Sequence, residues 1–202
     1  ETVGNPVRNT ITGVAAPTER YDIHDDSPLR LLVVGGSLGA QVLNDNVPKA
    51  LALIDKPFAV RHQCGRNNES ATQAAYDNED LSRHSTQVQP FIDNMAAAYN
   101  WADVIVCRAG ALTVTEIQNV GIPAIFVPLP HAVDDHQTAN ARTLTEHGAA
   151  ILLPQSELTP ERLRAELAVL DRAKCLEMAK KGHALANRSA TEQVADIIWQ
   201  SL

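Results

Sequence analysis

The sequence predicts an α/β fold built on a doubly wound parallel sheet, with helices alone after Pro154. Three observations predict it. Short, β-branched, nearly continuous apolar runs alternate with helical patterns, as strands buried on both faces of a sheet require. Glycine-rich turns carry strand into helix at Gly35-Gly36-Ser37-Leu38-Gly39-Ala40 and around Gly110. Gly121 and Gly148 stand where helices should stop, matching the glycine preference just past a helix end.

In chain order, Leu29–Val34 reads as a strand, Ala40–Ile54 as a helix, Phe58–Gln63 as a strand, Ser70–Asn78 as a helix and Gln87–Val88 as a short strand. The rhythm continues with a helix over Met95–Trp101, a strand over Val104–Cys107 and a helix over Thr113–Asn119. A strand over Ile122–Val127, a helix over Asp135–Glu146 and a strand over Ala150–Leu153 complete it. Beyond Pro154, Thr159-Pro160-Glu161 places a cap residue before a proline at the first helical position. The division expected is a lead-in and inter-domain linker over residues 1–28, a ligand-binding domain over 29–188 and a terminal helix over 189–202.

With 202 residues and 45% hydrophobic content, one good core is the default. A net charge of −7 argues against a nucleic-acid partner, because a phosphate backbone needs a positive stripe that no segment supplies. The three cysteines, Cys64, Cys107 and Cys175, are odd in number and widely spaced, which suggests neither a disulfide framework nor a zinc site. No apolar stretch reaches the length of a membrane span, and the absence of an initial Met reads as an interior cut from a longer protein.

The turn at Gly35 sets two chemistries against each other. A glycine turn opening a helix holds anions, through backbone N–H groups and the positive helix end. The same residues match G-x-S-x-G, the nucleophile elbow, with Ser37 as nucleophile and Asp134 and His183 following in the expected chain order. A hydrolase needs several strands before its elbow, and the residues before Leu29 have room for about one. The turn at Arg108-Ala109-Gly110 supplies a second anion-ready helix start, and ligands of open parallel sheets bind beyond the strand ends where strand order reverses. A diphosphate between the two turns is the natural ligand.

Glu116 carries two readings. Thr113-Val114-Thr115-Glu116 is a capping-box pattern, and a carboxylate one turn into a helix beside the crevice also suits ribose hydroxyls. In His131-Ala132-Val133-Asp134-Asp135-His136-Gln137-Thr138-Ala139-Asn140, the plain reading is a helix start with solvated side chains. A metal on His131 and His136 is disfavoured by their spacing. The neutral amides of Gln137 and Asn140 suit sugar hydroxyls. Phe91, Ile92 and Met95 are core residues by default, on a loop that could also receive a flat base.

Taken together, Gly4-Asn5-Pro6-Val7-Arg8, the Gly35–Ala40 turn, Phe91-Ile92-Asp93-Asn94-Met95, Cys107–Glu116 and Asp135–Ala141 closely resemble one family over essentially the whole chain. It is the C-terminal half of the MurG family, the bacterial UDP-N-acetylglucosamine transferases of peptidoglycan synthesis. The resemblance implies a Rossmann-like domain, one half of a two-domain GT-B glycosyltransferase, that binds UDP-GlcNAc without metal or other cofactor. It implies transfer of GlcNAc to lipid I with inversion, giving lipid II at the cytoplasmic face of the bacterial inner membrane. By position, Arg8 and Ser37 would lie at the diphosphate, Ile92 would pair through its backbone with uracil, and Met95 would pack on the base. Ala111, Leu112, Thr113, Val114 and Thr115 would offer backbone N–H groups to phosphate. Glu116 would hold the ribose, and Gln137 with Asn140 the GlcNAc. The family's N-terminal half carries the acceptor site, the membrane patch and the candidate catalytic base, so this half alone should bind donor without turnover. Ala109 and Leu38 depart from the family pattern without removing a named contact. Two further rivals are a non-catalytic nucleotide-sugar-binding module, which would keep the same donor site, and a UDP-GlcNAc epimerase, which would need acid/base carboxylates in the site.

Overall fold

A computed structural model describes residues 4–130 and 135–200. Six strands, β1 (Leu29–Val34), β2 (Phe58–Gln63), β3 (Ser85–Gln89), β4 (Val104–Cys107), β5 (Ala124–Phe126) and β6 (Ala150–Leu152), form one parallel sheet in the order β3-β2-β1-β4-β5-β6. Strand order therefore reverses between β1 and β4, whose carboxyl ends flank the crevice such sheets use for ligands.

Two short helices, α1 (Asn9–Thr12) and α2 (Pro17–Arg20), precede the sheet. The crossovers are α3 (Gln41–Ala52), α4 (Glu69–Asp77), α5 (Met95–Trp101), α6 (Ala111–Val120) and α7 (His136–Thr145). After a single 3₁₀ turn follow α8 (Pro160–Ala168), α9 (Arg172–Ala184) and α10 (Ala190–Gln200). Alternation along β1 feeds two cores. Leu31 and Val33 pack with Leu43, Val47, Leu163 and Leu167 on one face, while Leu32 packs with Ile105, Ile117, Phe126 and Leu144 on the other.

Strands β1, β2 and β4 and helix α5 have the bounds the sequence predicts. Strand β5 is shorter than predicted because Pro123 has no N–H for the ladder and contributes only its carbonyl, to the N–H of Ile105 at 3.0 Å. The expected cap at Thr159 is present: its side chain accepts from the N–H of Arg162, and Pro160 opens α8. Asp171 caps α9 in the same way. Helix α6 is the informative departure, since it starts at Ala111 with Gly110 at its N-cap. Thr113 is therefore inside the first turn, and the capping-box reading of Glu116 is overturned.

The lead-in is packed rather than trailing. Val7 and Ile11 are buried in the second core, and the Tyr21 hydroxyl donates to the carbonyl of Asp103 at 2.7 Å.

Candidate functional site

The Gly35–Ala40 turn depends on glycine at Gly39. Gly39 has φ +77°, and a Cβ there would come within 1.9 Å of the Cys64 carbonyl oxygen. A Cβ on Gly65 would meet the Gly39 nitrogen at 2.3 Å, so the loops after β1 and β2 interlock backbone to backbone. Asn68 completes the lock, donating from Nδ2 to the carbonyls of Leu38 (3.2 Å) and Cys64 (3.1 Å).

What this rigid turn presents is an open helix end. Neither Ala40, at the N-cap of α3, nor Gly110, at the N-cap of α6, supplies a side-chain cap, as is also true of Asn68 before α4 and Asp135 before α7, whereas α5, α8 and α9 are capped by Asn94, Thr159 and Asp171. The first N–H groups of α3 and α6 therefore meet no capping side chain, and each sits at a positive helix end. Both turns line one cleft of about 370 Å³, shared by Gly36, Ser37, Arg108, Gly110, Thr113 and Gln137. On α6 the N–H groups of Ala111, Leu112 and Thr113 precede the first intrahelical bond. Val114 already donates to the Gly110 carbonyl at 2.9 Å and Thr115 lies deeper in the helix, so these two offer no free backbone N–H. The Thr115 side chain instead accepts from Asn5 Nδ2 at 3.1 Å.

Arg108 belongs to the cleft, although sequence reasoning gave it no role. Its Nη1 donates to the carbonyls of Val127 (3.0 Å) and Pro128 (3.1 Å), and it has no acidic partner among the described residues. Burial lowers its pKa from the usual guanidinium value, yet leaves it a cation, held by neutral oxygens beside two open helix ends. Arg8 sits elsewhere. It lines a neighbouring cavity with Asp93, Asn94 and Met95, where its Nη2 meets Glu116 Oε1 at 3.1 Å.

The Glu116 carboxylate is held from two sides. Tyr99, buried on α5, donates its hydroxyl to Oε2 at 2.9 Å while Arg8 takes Oε1. Burial and the adjacent carboxylate raise the Tyr99 pKa well above its ordinary value, so the phenol stays a donor. Gln137 and Asn140 turn out to hold the second glycine turn. Gln137 Oε1 accepts from the N–H groups of Ala109 (3.3 Å) and Leu129 (2.9 Å), and Asn140 Nδ2 donates to the Ala109 carbonyl (3.1 Å). Among the described residues no hydrogen-bond partner is seen for Gln137 Nε2 or Asn140 Oδ1. Ile92 is buried and Met95 half-buried at the loop after β3, and the Ile92 N–H is already given to Gln63 Oε1 at 2.9 Å.

The hydrolase reading fails on this geometry. A nucleophile elbow strains its serine, whereas positive φ among non-glycine residues described here occurs only at Asn67 and Asp135, leaving Ser37 in an ordinary turn conformation. His183 bonds the Asn119 carbonyl at 2.9 Å, at the far end of α6 and so at the opposite edge of the sheet. Asp134, and His131 of the rejected metal pair, lie outside the described residues.

Comparison with known proteins agrees with this architecture. A relative from Psychrobacter arcticus is 81% identical over 202 residues, all of this chain and 56% of its own length. A relative from Azoarcus is 55% identical over 195 residues, 96% of this chain and 54% of its own. Both bear the name UDP-N-acetylglucosamine–N-acetylmuramyl-(pentapeptide) pyrophosphoryl-undecaprenol N-acetylglucosamine transferase. The crystal structure of Acinetobacter baumannii MurG superposes with a TM-score of 0.89 at 45% identity, covering 97% of this chain and 57% of that one. The chain thus spans about half the length of the curated relatives it matches. At 22% identity and a TM-score of 0.56, the glycosyltransferase VinC shares the fold, consistent with one half of a GT-B enzyme. The glycosyltransferase family 28 C-terminal domain matches residues 30–199, and the chain belongs to that family.

Proposed function

We propose that this chain is the donor-binding half of an inverting glycosyltransferase that moves GlcNAc from UDP-GlcNAc to the MurNAc 4-hydroxyl of lipid I, yielding lipid II. The observation that carries the reading is the pair of uncapped helix ends, α3 and α6, opening with Arg108 and Gln137 onto one cleft. Such a cleft suits a diphosphate, and the names of the relatives supply the sugar, the nucleotide and the lipid-linked acceptor.

In this reading the Ser37 hydroxyl and the N–H groups of Ala111, Leu112 and Thr113 receive the phosphates. Glu116, aimed by Tyr99, accepts the ribose hydroxyls, Met95 packs on uracil, and the Gln137 Nε2 and Asn140 Oδ1 groups face GlcNAc. Arg8 reaches the diphosphate by leaving Glu116, as ribose takes its place. As the glycosidic bond breaks, negative charge grows on the departing UDP, and the α6 amides and Arg108 are already aimed at it, which is electrostatic stabilisation of the preorganised kind. The base that deprotonates the acceptor and the surface that meets the membrane belong to the other half of the enzyme, acting at the cytoplasmic face. No helix among the described residues is long and apolar enough to cross a bilayer.

Calorimetric titration with UDP-GlcNAc, UDP-GalNAc and TDP-glucose tests nucleotide and sugar together. UDP-GlcNAc should bind tightest; equal affinity for all three, or none, refutes the reading.

A further inference from the structure

Beneath the glycine turn that opens α3, three polar side chains are buried where apolar ones would pack. Asn44 on α3, His62 on β2 and Tyr76 on α4 are each at most 2% exposed, and Tyr76 belongs to the first core with Leu43 and Val47 of α3. They form one chain of hydrogen bonds. The Tyr76 hydroxyl meets His62 Nδ1 at 2.9 Å, His62 Nε2 meets Asn44 Oδ1 at 3.0 Å, and Asn44 Nδ2 donates to the Cys64 carbonyl at 3.1 Å. The last acceptor fixes every direction. A carbonyl only accepts, so Asn44 turns its amide nitrogen to Cys64 and its oxygen to His62, which donates from Nε2 and accepts at Nδ1 from the Tyr76 hydroxyl. The Cys64 carbonyl is where the turn rests. Asn68 Nδ2 also donates to it at 3.1 Å, and Gly39 lies so close that a Cβ there would be 1.9 Å from its oxygen.

We propose that His62 is a positioning residue of the donor site: its ring fixes the Asn44 amide and, through the Cys64 carbonyl, the glycine turn that receives the diphosphate. The inference rests on the donor-site reading above. Gly39 leads directly into Ala40, the N-cap of α3, so a shift of the Cys64 carbonyl moves the open helix end and Ser37 with it. Burying these polar groups adds little net stability over apolar residues of the same shape, since each bond within the protein replaces a bond to water. What a fully satisfied buried chain adds is a single arrangement, because any other leaves a donor or an acceptor unpaired at a cost. The imidazole suits the middle of the chain because its rigid ring holds one donor and one acceptor at a fixed separation. An apolar side chain there would fill the space and leave the Asn44 amide free to turn.

The test measures UDP and uridine binding to the 202-residue chain by NMR titration, for wild type, His62→Leu and His62→Gln. Uridine lacks the diphosphate, so a displaced phosphate turn weakens UDP alone. His62→Leu leaves Asn44 Oδ1 and the Tyr76 hydroxyl unpaired, and UDP affinity should fall about tenfold, the equivalent of one neutral hydrogen bond, with uridine unchanged. His62→Gln keeps a donor and an acceptor, and UDP affinity should return to within about threefold of wild type. A structural histidine would lower thermal stability in His62→Leu and leave UDP affinity where it was. Wild-type UDP affinity in the Leu variant, equal losses of UDP and uridine, or a Gln variant as weak as Leu overturns the proposal. If His62→Leu does not fold, Tyr76→Phe takes its place: a UDP loss of about threefold with uridine unchanged supports the relay, and wild-type affinity overturns it. A folded wild type that binds neither ligand refutes the donor-site reading instead. Amide exchange then decides the relay by itself, at the Gly39 N–H that closes the turn on the Gly36 carbonyl at 2.9 Å. Faster exchange there in the Leu or Phe variant supports the relay, and unchanged exchange overturns it.

Discussion

Replacing Glu116 by Gln tests the proposed ribose contact, because the free chain depends little on the charge of that residue. In the free chain the substitution removes a charge facing Arg8, whose side chain is 64% exposed, and keeps an oxygen for the Tyr99 hydroxyl. An ion pair that open to solvent contributes at most about 1 kcal/mol, so the melting temperature should fall by no more than about 4 °C. No helix cap is lost, since α6 begins at Ala111 and Glu116 lies beyond its first turn. In the nucleotide complex two ribose hydroxyls would share the carboxylate, and charge-assisted bonds of this kind are worth about 1.5–3 kcal/mol. UDP affinity should therefore drop roughly tenfold to a hundredfold. Calorimetry with UDP and thermal denaturation on the same preparation supply both numbers. Wild-type UDP affinity in Glu116→Gln would remove Glu116 from the binding site, and a large loss of stability would show that the Arg8 pair had been undervalued.

Four other outcomes follow from the same geometry. Gly39→Ala should fail to fold or lose several kcal/mol, because its Cβ would lie 1.9 Å from the Cys64 carbonyl oxygen; Gly36→Ala, with φ +90° but open space, should fold at a cost of about 1–2 kcal/mol by denaturant titration. His62 is fully buried between Tyr76 and Asn44, and burial pushes its pKa down to about 3, so only the unfolded chain takes up its proton as pH falls below about 6.5. Stability present above that pH should decline by up to about 1.4 kcal/mol per unit between about pH 6 and 4, and a folded His62→Gln variant should show a shallower slope over that window. UDP affinity should be the same with EDTA as with Mg²⁺, given two open helix ends and Arg108 at the cleft; a strict metal requirement refutes that phosphate site. Ser37→Ala should weaken UDP binding modestly, and covalent labelling of Ser37 by a fluorophosphonate would restore the hydrolase reading.

Much of the fold was legible because it depends on local pattern. The runs Leu29–Val34 and Val104–Cys107 are apolar on both faces, which only a strand in the middle of a covered sheet needs, and both lie there. The start of α6 was misplaced for a physical reason. Helix-start rules look for a side chain that satisfies the first N–H groups, and Thr113 is the first residue that could; the real start at Ala111 leaves those groups open beneath a glycine. A rule about satisfied caps fails where a glycine stands at the N-cap and no side chain takes up the first N–H groups. Tyr99, Gln63 and Arg108 were invisible for another reason: each acts through partners 17 to 29 residues away, at Glu116, Gly36, Ile92, Val127 and Pro128, and no spacing in the sequence encodes those contacts.

The lead-in gains a role by the same long-range logic. Arg20, on α2, donates from Nη1 to the carbonyls of Tyr99 and Ala102 at 3.4 Å each, and from Nη2 to those of Val120 (3.0 Å) and Gly121 (2.6 Å). These carbonyls end α5 and α6, where helices leave acceptors unpaired and a cation is favoured. One guanidinium thus fixes α5 against α6, the two helices that carry Tyr99 and Glu116. Val7 and Ile11, buried against the same helices, bring Arg8 to the other carboxylate oxygen. The distance from phenol to carboxylate is therefore set by residues before the first strand, and the segment read from sequence as a linker is structurally continuous with the Tyr99–Glu116 pair.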